Sequence, residues 1–354
     1  QCIQEIATGA GKTIITATLC KLVEDYGRTL TIVPNKSLVT QTEEDFITCN
    51  LDVGVYYGDR KELGRQNTIA TWQSLNVLEK KSKDEDSEAF AEAIKNINTV
   101  IIDEVHMAKA DVLKRMLTGP FAHCGIRWGL TGTVPKADFE FYGLKCAIGE
   151  VVNRIAAKEL QDKGVLAQCT VNIIQTQDHP AFKNYQEELK WLTTDETRIG
   201  WIADTVKNIS TSGNTLILVD RISAGEMLEK KLKDSIFISG STKNTDRKEH
   251  YDEVSTATNK IIIATYGVAS VGINIPRIFN LVLIEPGKSF VRVIQSIGRG
   301  IRKAEDKDSV QIWDITSSCK FAKRHLTERK KFYKEANYPY NIDKIDYENP
   351  YNRK

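Results

Sequence analysis

Seven residues near the start of the chain, Ala7-Thr8-Gly9-Ala10-Gly11-Lys12-Thr13, limit its fold more than any other feature. An apolar stretch, Cys2–Ile6, precedes them, and a helix-like run, Ile14–Glu24, follows. Glycines in such a turn let backbone N–H groups point inward around phosphate oxygens, and the helix behind the turn adds the positive end of its dipole. Lys12 then reaches the β- and γ-phosphates, and the Thr13 hydroxyl ligates Mg2+. Ile6 stands where the general pattern has its first glycine, so the signature is incomplete there, while the Thr-Gly-x-Gly-Lys-Thr core is intact. The stretch predicts an ATP site built from Thr8, Gly9, Ala10, Gly11, Lys12 and Thr13, in a strand–loop–helix context.

The remaining pattern agrees with that context. Short β-branched runs alternate with helix-length amphipathic stretches: Leu30–Val33, Thr68–Ala70 and Val100–Ile102, then Thr215–Val219, Lys260–Ala264, Leu281–Ile284 and Val310–Trp313. Strands separated by helices imply parallel sheets. With 354 residues, 41% of them hydrophobic and 27% charged, the chain is long enough for two domains of ordinary globular composition. The expected division is a first domain over 1–152, a linker over 153–175, a second domain over 176–330 and a tail over 331–354. The charge-dense stretch Glu79–Glu92 reads as an exposed loop or helix start. Ala156–Gly164 reads as a charged helix stopped by glycine. The chain opens without Met and reaches its phosphate signature almost at once, which reads as a piece of a longer protein.

Several classes are disfavoured. No apolar run approaches the roughly 20 residues that span a bilayer, and no secretory leader is recognisable, so no membrane partner is expected. The seven cysteines include no closely spaced pair, which argues against a zinc site or disulfide framework and for a reducing cytoplasm, that of a host cell if the protein is viral. The net charge of +2 neither requires nor excludes nucleic acid, because a basic stripe can hide within a balanced total.

Further signals carry chemistry. Val100-Ile101-Ile102 builds a buried strand that ends in Asp103-Glu104, followed by Val105-His106. Asp103 suits a direct or water-bridged Mg2+ contact, and Glu104 suits orienting or deprotonating an attacking water. His106, directly behind the acidic pair, suits coupling between the ATP site and the second domain. Leu130-Thr131-Gly132-Thr133 places the Thr131 and Thr133 hydroxyls on a strand-end turn, where they could hydrogen-bond the acidic loop. Late in the chain, Gln295-Ser296-Ile297-Gly298-Arg299-Gly300-Ile301-Arg302 puts Arg299 and Arg302 on one helix face. Arginines of this kind stabilise charge on a transferring phosphoryl group.

Together, Thr8–Thr13, Asp103–His106, Leu130–Thr133 and Gln295–Arg302 are similar, in that order, to motifs I, II, III and VI of superfamily 2 helicases. Ile32–Asn35, Ala70–Leu75, Leu216–Arg221 and Ala264–Pro276 resemble motifs Ia, Ib, IV and V. Within the superfamily, Ala264–Ile273 followed by Gln295–Lys303 and Val310–Ile315 most resembles the UvsW-type helicases of T4-like bacteriophages. DEAD-box RNA helicases fit less well, because they carry Arg at the place of Ser296 and Gly at that of Ile301. The resemblance implies an α/β fold of two tandem RecA-like domains with an ATP site in the interdomain cleft. It makes Glu104, Gln295, Arg299 and Arg302 catalytic, and it places Asn274 near ATP. Pro34, Thr71, Gln73, Gly240 and Thr265 would touch the nucleic-acid backbone, which positions a protein without reading sequence.

The implied activity is ATP-driven unwinding or branch migration of forks, junctions and R-loops by a monomer. Its partners are branched or single-stranded DNA and the RNA of R-loops. Two other functions fit the same residues: a duplex translocase that separates no strands, and an ATP-dependent binding switch. Glu104, Arg299 and Arg302 speak against the switch, because a switch needs binding alone. The basic stretch Lys320–Lys334, with Phe321, Leu326 and Phe332, reads as a helix packed on the second domain with a basic outer face.

Overall fold

The computed structural model describes residues 1–348 apart from 108–109, 133, 135–137, 243, 273–274, 276 and 289–303. The chain divides into two compact units, Gln1–Ala156 and Ala157–Lys354.

The first unit holds β1 (Cys2–Ile6), β2 (Arg28–Val33), β3 (Val53–Tyr57), β4 (Arg60–Lys61), β5 (Asn67–Thr71), β6 (Ile97–Ile102), β7 (Ile126–Thr131) and β8 (Val151–Ile155). They form one sheet in the order β4-β3-β5-β2-β6-β7-β1-β8, parallel except between β3 and β4. Period-2 alternation sends successive side chains to opposite faces. Leu30, Ile32, Val100 and Ile102 enter one core, while Val33 and Ile101 enter the other. A sheet covered on both faces explains why these strands read as unbroken apolar runs.

The second unit repeats the plan with β9 (Gln168–Thr176), β10 (Thr215–Val219), β11 (Ser235–Ile238), β12 (Ile261–Thr265), β13 (Asn280–Ile284), β14 (Ser309–Ser317) and β15 (Tyr340–Ile345). The order is β11-β12-β10-β13-β14-β9-β15, and the pairings are parallel. Leu216 and Leu218 pack into one core, Ile217 and Val219 into the other. The architecture is α/β with two tandem RecA-like domains.

Three stretches differ from the sequence expectation. Residues 153–175, expected as a linker, hold the end of β8, the helix Ala157–Asp162 and most of β9. Polar residues interrupt β9 and mask its strand character. They pair laterally instead: Asn172 donates to Gln311 at 2.9 Å and accepts from Asn341 at 3.1 Å. The expected tail supplies the end of the helix Lys320–Glu335 and then β15, an edge strand whose mostly exposed side chains show no apolar run. Glu79, in a charge-dense stretch expected as an exposed loop or helix start, lies well inside the helix Trp72–Asp84 and is buried. It accepts from Arg115 and Lys83, each at 2.7 Å.

Beneath the carboxyl ends of β13 and β14 lies a buried ionic network. Arg198, fully buried, donates to Glu285 at 2.8 Å. The Thr176 and Ser317 hydroxyls donate to Asp178 at 2.6 Å, and Tyr347 donates to it at 2.7 Å. Arg329, also fully buried, donates to both Asp314 oxygens at 2.8 and 2.9 Å and to the Gly287 carbonyl at 2.8 Å. Asp178, Glu285 and Asp314 together outnumber the two guanidinium groups. Burial pushes the Glu285 carboxyl from its ordinary value up to about 7, against the pull of Arg198 and Arg329. Folded protein therefore holds a proton on Glu285 at pH values where the unfolded chain has released it, so stability falls as pH rises from about 4.5 through about 7. Melting temperatures of the parent and Glu285→Gln, whose amide stays neutral throughout, should separate as pH rises across this window, with the parent losing more. A constant difference would contradict the assignment.

Candidate active site

The predicted site residues of the first unit gather at the carboxyl edge of its sheet, where open α/β sheets bind ligands. Behind β1 the chain turns through Gly9 (φ 88°) and Gly11 (φ 80°), both in the left-handed region that glycine adopts without strain. A Cβ on Gly11 would meet nothing within 4 Å, so the turn bounds open space. The helix Lys12–Leu22 then begins with no side-chain cap and no acidic residue in its first turn. Its leading N–H groups and dipole are left to an external anion. The Thr8 hydroxyl is buried, with no hydrogen-bond partner among the described residues. A phosphate group fits this loop.

The acidic loop follows β6. Asp103 donates its backbone N–H to the Ile32 carbonyl at 2.9 Å, which ties the loop to β2. The Asp103 carboxylate accepts from the Glu104 N–H at 2.9 Å and holds Glu104 at φ 47°. A non-glycine residue in this region costs about 1–3 kcal/mol and persists only where its surroundings impose it. The strain turns the Glu104 side chain to within 3.3 Å of Lys12 Nζ, and both side chains are largely buried. Glu285 behind β13 has the same backbone, φ 43°, so both units place a buried glutamate after a central strand.

His106 and β7 complete the group. The His106 Nδ1 and Thr131 Oγ1 atoms share a hydrogen bond at 2.7 Å, and Glu104 Oε2 lies 3.4 Å from the same nitrogen. Burial pushes the His106 pKa below its ordinary value; Glu104 opposes this and Lys12 reinforces it. The ring is thus neutral near pH 7. Gly132 explains itself by close approach. A Cβ there would stand 2.6 Å from Thr8 Oγ1 and 3.4 Å from Lys12 Nζ, so the turn after β7 lies directly against the phosphate loop. The sequence signalled a hydroxyl turn here but not this need for glycine.

The expected nucleic-acid residues sit on the same edges. Pro34 and Thr71 follow or end the neighbouring strands β2 and β5. The Gln73 amide donates to the Pro34 carbonyl at 3.3 Å. Thr71 is buried, and its hydroxyl caps the helix Trp72–Asp84 by accepting from the Ser74 N–H at 3.2 Å. In the second unit, Gly240 follows β11, and its carbonyl accepts from Arg247 at 3.1 Å. Thr265 ends β12 and accepts from the Val268 N–H at 3.4 Å. Thr71 and Thr265 therefore have structural duties of their own. Thr133, Asn274, Gln295, Arg299 and Arg302 lie outside the described residues.

A phosphate loop, a strand-end acidic pair and a second RecA-like domain define a nucleotide-driven motor. Residues 1–136 match the type III restriction enzyme res subunit family, and residues 198–304 match the helicase conserved C-terminal domain family. The chain is an ATP-using helicase of superfamily 2. It is 26% identical to the ATP-dependent DNA helicase UvsW of Enterobacteria phage T4, over 97% of this chain and 70% of that protein. It is also 22% identical to the helicase/translocase subunit XPB of the transcription and repair factor IIH from Drosophila melanogaster, over 94% of this chain and 44% of that protein. A fragment of an HsdR-type subunit of a type I restriction enzyme from Vibrio vulnificus shares the fold, with a TM-score of 0.72 at 17% identity, over 98% of this chain and 65% of that one. Among the described residues, no helix is long and apolar enough to cross a membrane.

Proposed function

We propose that this chain hydrolyses ATP to move on DNA and to unwind or branch-migrate forked and junction DNA, as a monomer. The observation that carries the reading is the run of contacts from Lys12 through Glu104 to His106 and Thr131, which joins the phosphate loop, the acidic pair and the strand-end turn. Lys12 takes the terminal phosphates of ATP when it leaves Glu104, and the N–H groups of the loop hold the remainder. Glu104 then serves as base toward a water. His106 and Thr131 report the change to the rest of the unit. Among the described residues, no group of three or more His, Cys, Asp or Glu converges. Thr13 and Asp103 would hold Mg2+, an ion commonly bound through few protein oxygens. Bound Mg2+ supplies charge neutralisation at the transferring phosphoryl group.

On the family pattern, Arg299 and Arg302, with Gln295, add positive charge to that group, and Asn274 lies near the nucleotide. Pro34, Thr71, Gln73, Gly240 and Thr265 meet the DNA backbone. The kinship with the T4 helicase supports DNA as the track, and the resemblance described above supports branched forms of it. The match to a restriction-enzyme family and to a helicase/translocase favours a second reading, a duplex translocase. A fork with one labelled strand separates the two. Strand release coupled to ATP hydrolysis is expected. Hydrolysis on fork and blunt duplex alike, with no strand released, would establish the translocase.

A further inference from the structure

The second unit contains a cavity of about 840 Å³ that the motifs leave unexplained. It falls within the roughly 300–1,000 Å³ of small-ligand sites. Its walls come from Tyr185, from the Pro286-Gly287-Lys288 turn behind β13, and from one face of the helix Lys320–Glu335, which presents Phe321, Arg324, His325 and Phe332. The aromatic wall is built. The Tyr185 ring meets His325 edge-on at 4.6 Å and lies 6.4 Å from Phe321.

The lining is also cationic. Lys288 and Arg324 are exposed and have no ion-pair partner among the described residues. Glu328 at the rim is held by Lys331 at 2.9 Å. Burial, then Arg329, Lys288 and Arg324, push the His325 pKa down to about 4, so the cavity already carries positive potential and its histidine stays neutral. Arg329 fixes the floor by donating to the Gly287 carbonyl. Gly287 itself has φ 74°, and a Cβ there would lie 3.5 Å from the Tyr185 hydroxyl.

Aromatic faces beside unpaired cations are what unstacked bases and their phosphates need. Stacking on aromatic rings is sequence-tolerant, and cations follow the backbone. The cavity also lies on the carboxyl edge of the sheet that carries Gly240 and Thr265. Along that edge, β12 and β14 are separated by β10 and β13, so their ends stand about 14 Å apart at the usual strand spacing of about 4.8 Å. We infer that Tyr185, Phe321 and Phe332 stack an unpaired nucleotide of a bound single strand while Lys288 and Arg324 take its phosphates. The inference deepens the DNA-motor reading and rests on it.

The test uses the full chain with oligothymidylate, oligouridylate and an abasic strand of equal length, followed by anisotropy. Tyr185→Trp adds a fluorophore inside the cavity, read as the difference from the parent. Both base-bearing strands should quench it, and the abasic strand should bind without quenching. In Lys288→Gln/Arg324→Gln, the slope of log affinity against log salt should shrink by about 1.4, since each single-strand phosphate contact contributes about 0.7. Phe321→Ala should lose on the order of tenfold in affinity. Strands that bind with no quenching and an unchanged salt slope would overturn the cavity site and leave the motor intact. Failure to bind any strand would overturn both.

Discussion

Glu104→Gln is expected to lower ATP turnover by on the order of 10²-fold or more while leaving nucleotide binding in place. The substitution keeps the shape of the side chain and one hydrogen-bonding oxygen, and it removes the basic carboxylate. The structure adds a reason for binding to survive. Lys12 Nζ lies 3.3 Å from the Glu104 carboxylate, so ATP must compete with Glu104 for this cation. A neutral amide competes less, and affinity should hold or rise. The check is paired: affinity from a fluorescent nucleotide analogue, and single-turnover hydrolysis. A variant that fails to bind, or one that hydrolyses ATP at the parental rate, would contradict the role. Phosphoryl transfer relies on positioning and charge, so the strained turn at Glu104 matters as much as its carboxylate.

The second large effect concerns stability. Arg329→Met should destabilise the second unit by about 3–5 kcal/mol, because it leaves the Asp314 carboxylate buried without its countercharge. Tyr333 still donates to Asp314 at 2.7 Å, but a neutral hydroxyl does not balance a charge. The double variant Arg329→Met/Asp314→Leu should recover part of the loss, since the cost arises from the unpaired charge rather than from the missing pair. Urea unfolding followed by tryptophan fluorescence measures both. Equal losses in the single and double variants would show that the pair acts only through packing. The Gly287 turn would also lose the guanidinium that holds its carbonyl, so the same variant should loosen the proposed nucleotide cavity.

These two residues mark what the sequence could and could not disclose. Glu104 was legible because its strand is an uninterrupted β-branched run and because the phosphate loop needs an acidic partner. The central strands β6, β10 and β13 were legible for the same reason. Arg329 was not, since a basic stretch rich in Lys, Arg and His reads as a solvated face. Its burial becomes visible only once Asp314 is brought opposite it by pairing of β14 with its neighbours. The edge strand β15 escaped because its side chains mostly face solvent, and β9 because polar Thr170 and Asn172 break its buried apolar residues, Cys169, Val171 and Ile173, into single positions rather than a continuous run. Tyr185 and Lys288 lie far from Phe321 and Arg324 in sequence, so no spacing rule could assemble the cavity.

The Lys12 loop is expected to drive a DNA-stimulated ATPase. The most direct measurement is the steady-state rate of ATP hydrolysis by the parent and by Lys12→Ala, each with and without forked DNA. The expected result is a parental rate that rises with DNA, and a variant that stays at background in both conditions and binds nucleotide weakly. Hydrolysis by Lys12→Ala at the parental rate, or a parental rate indifferent to DNA, would contradict the account.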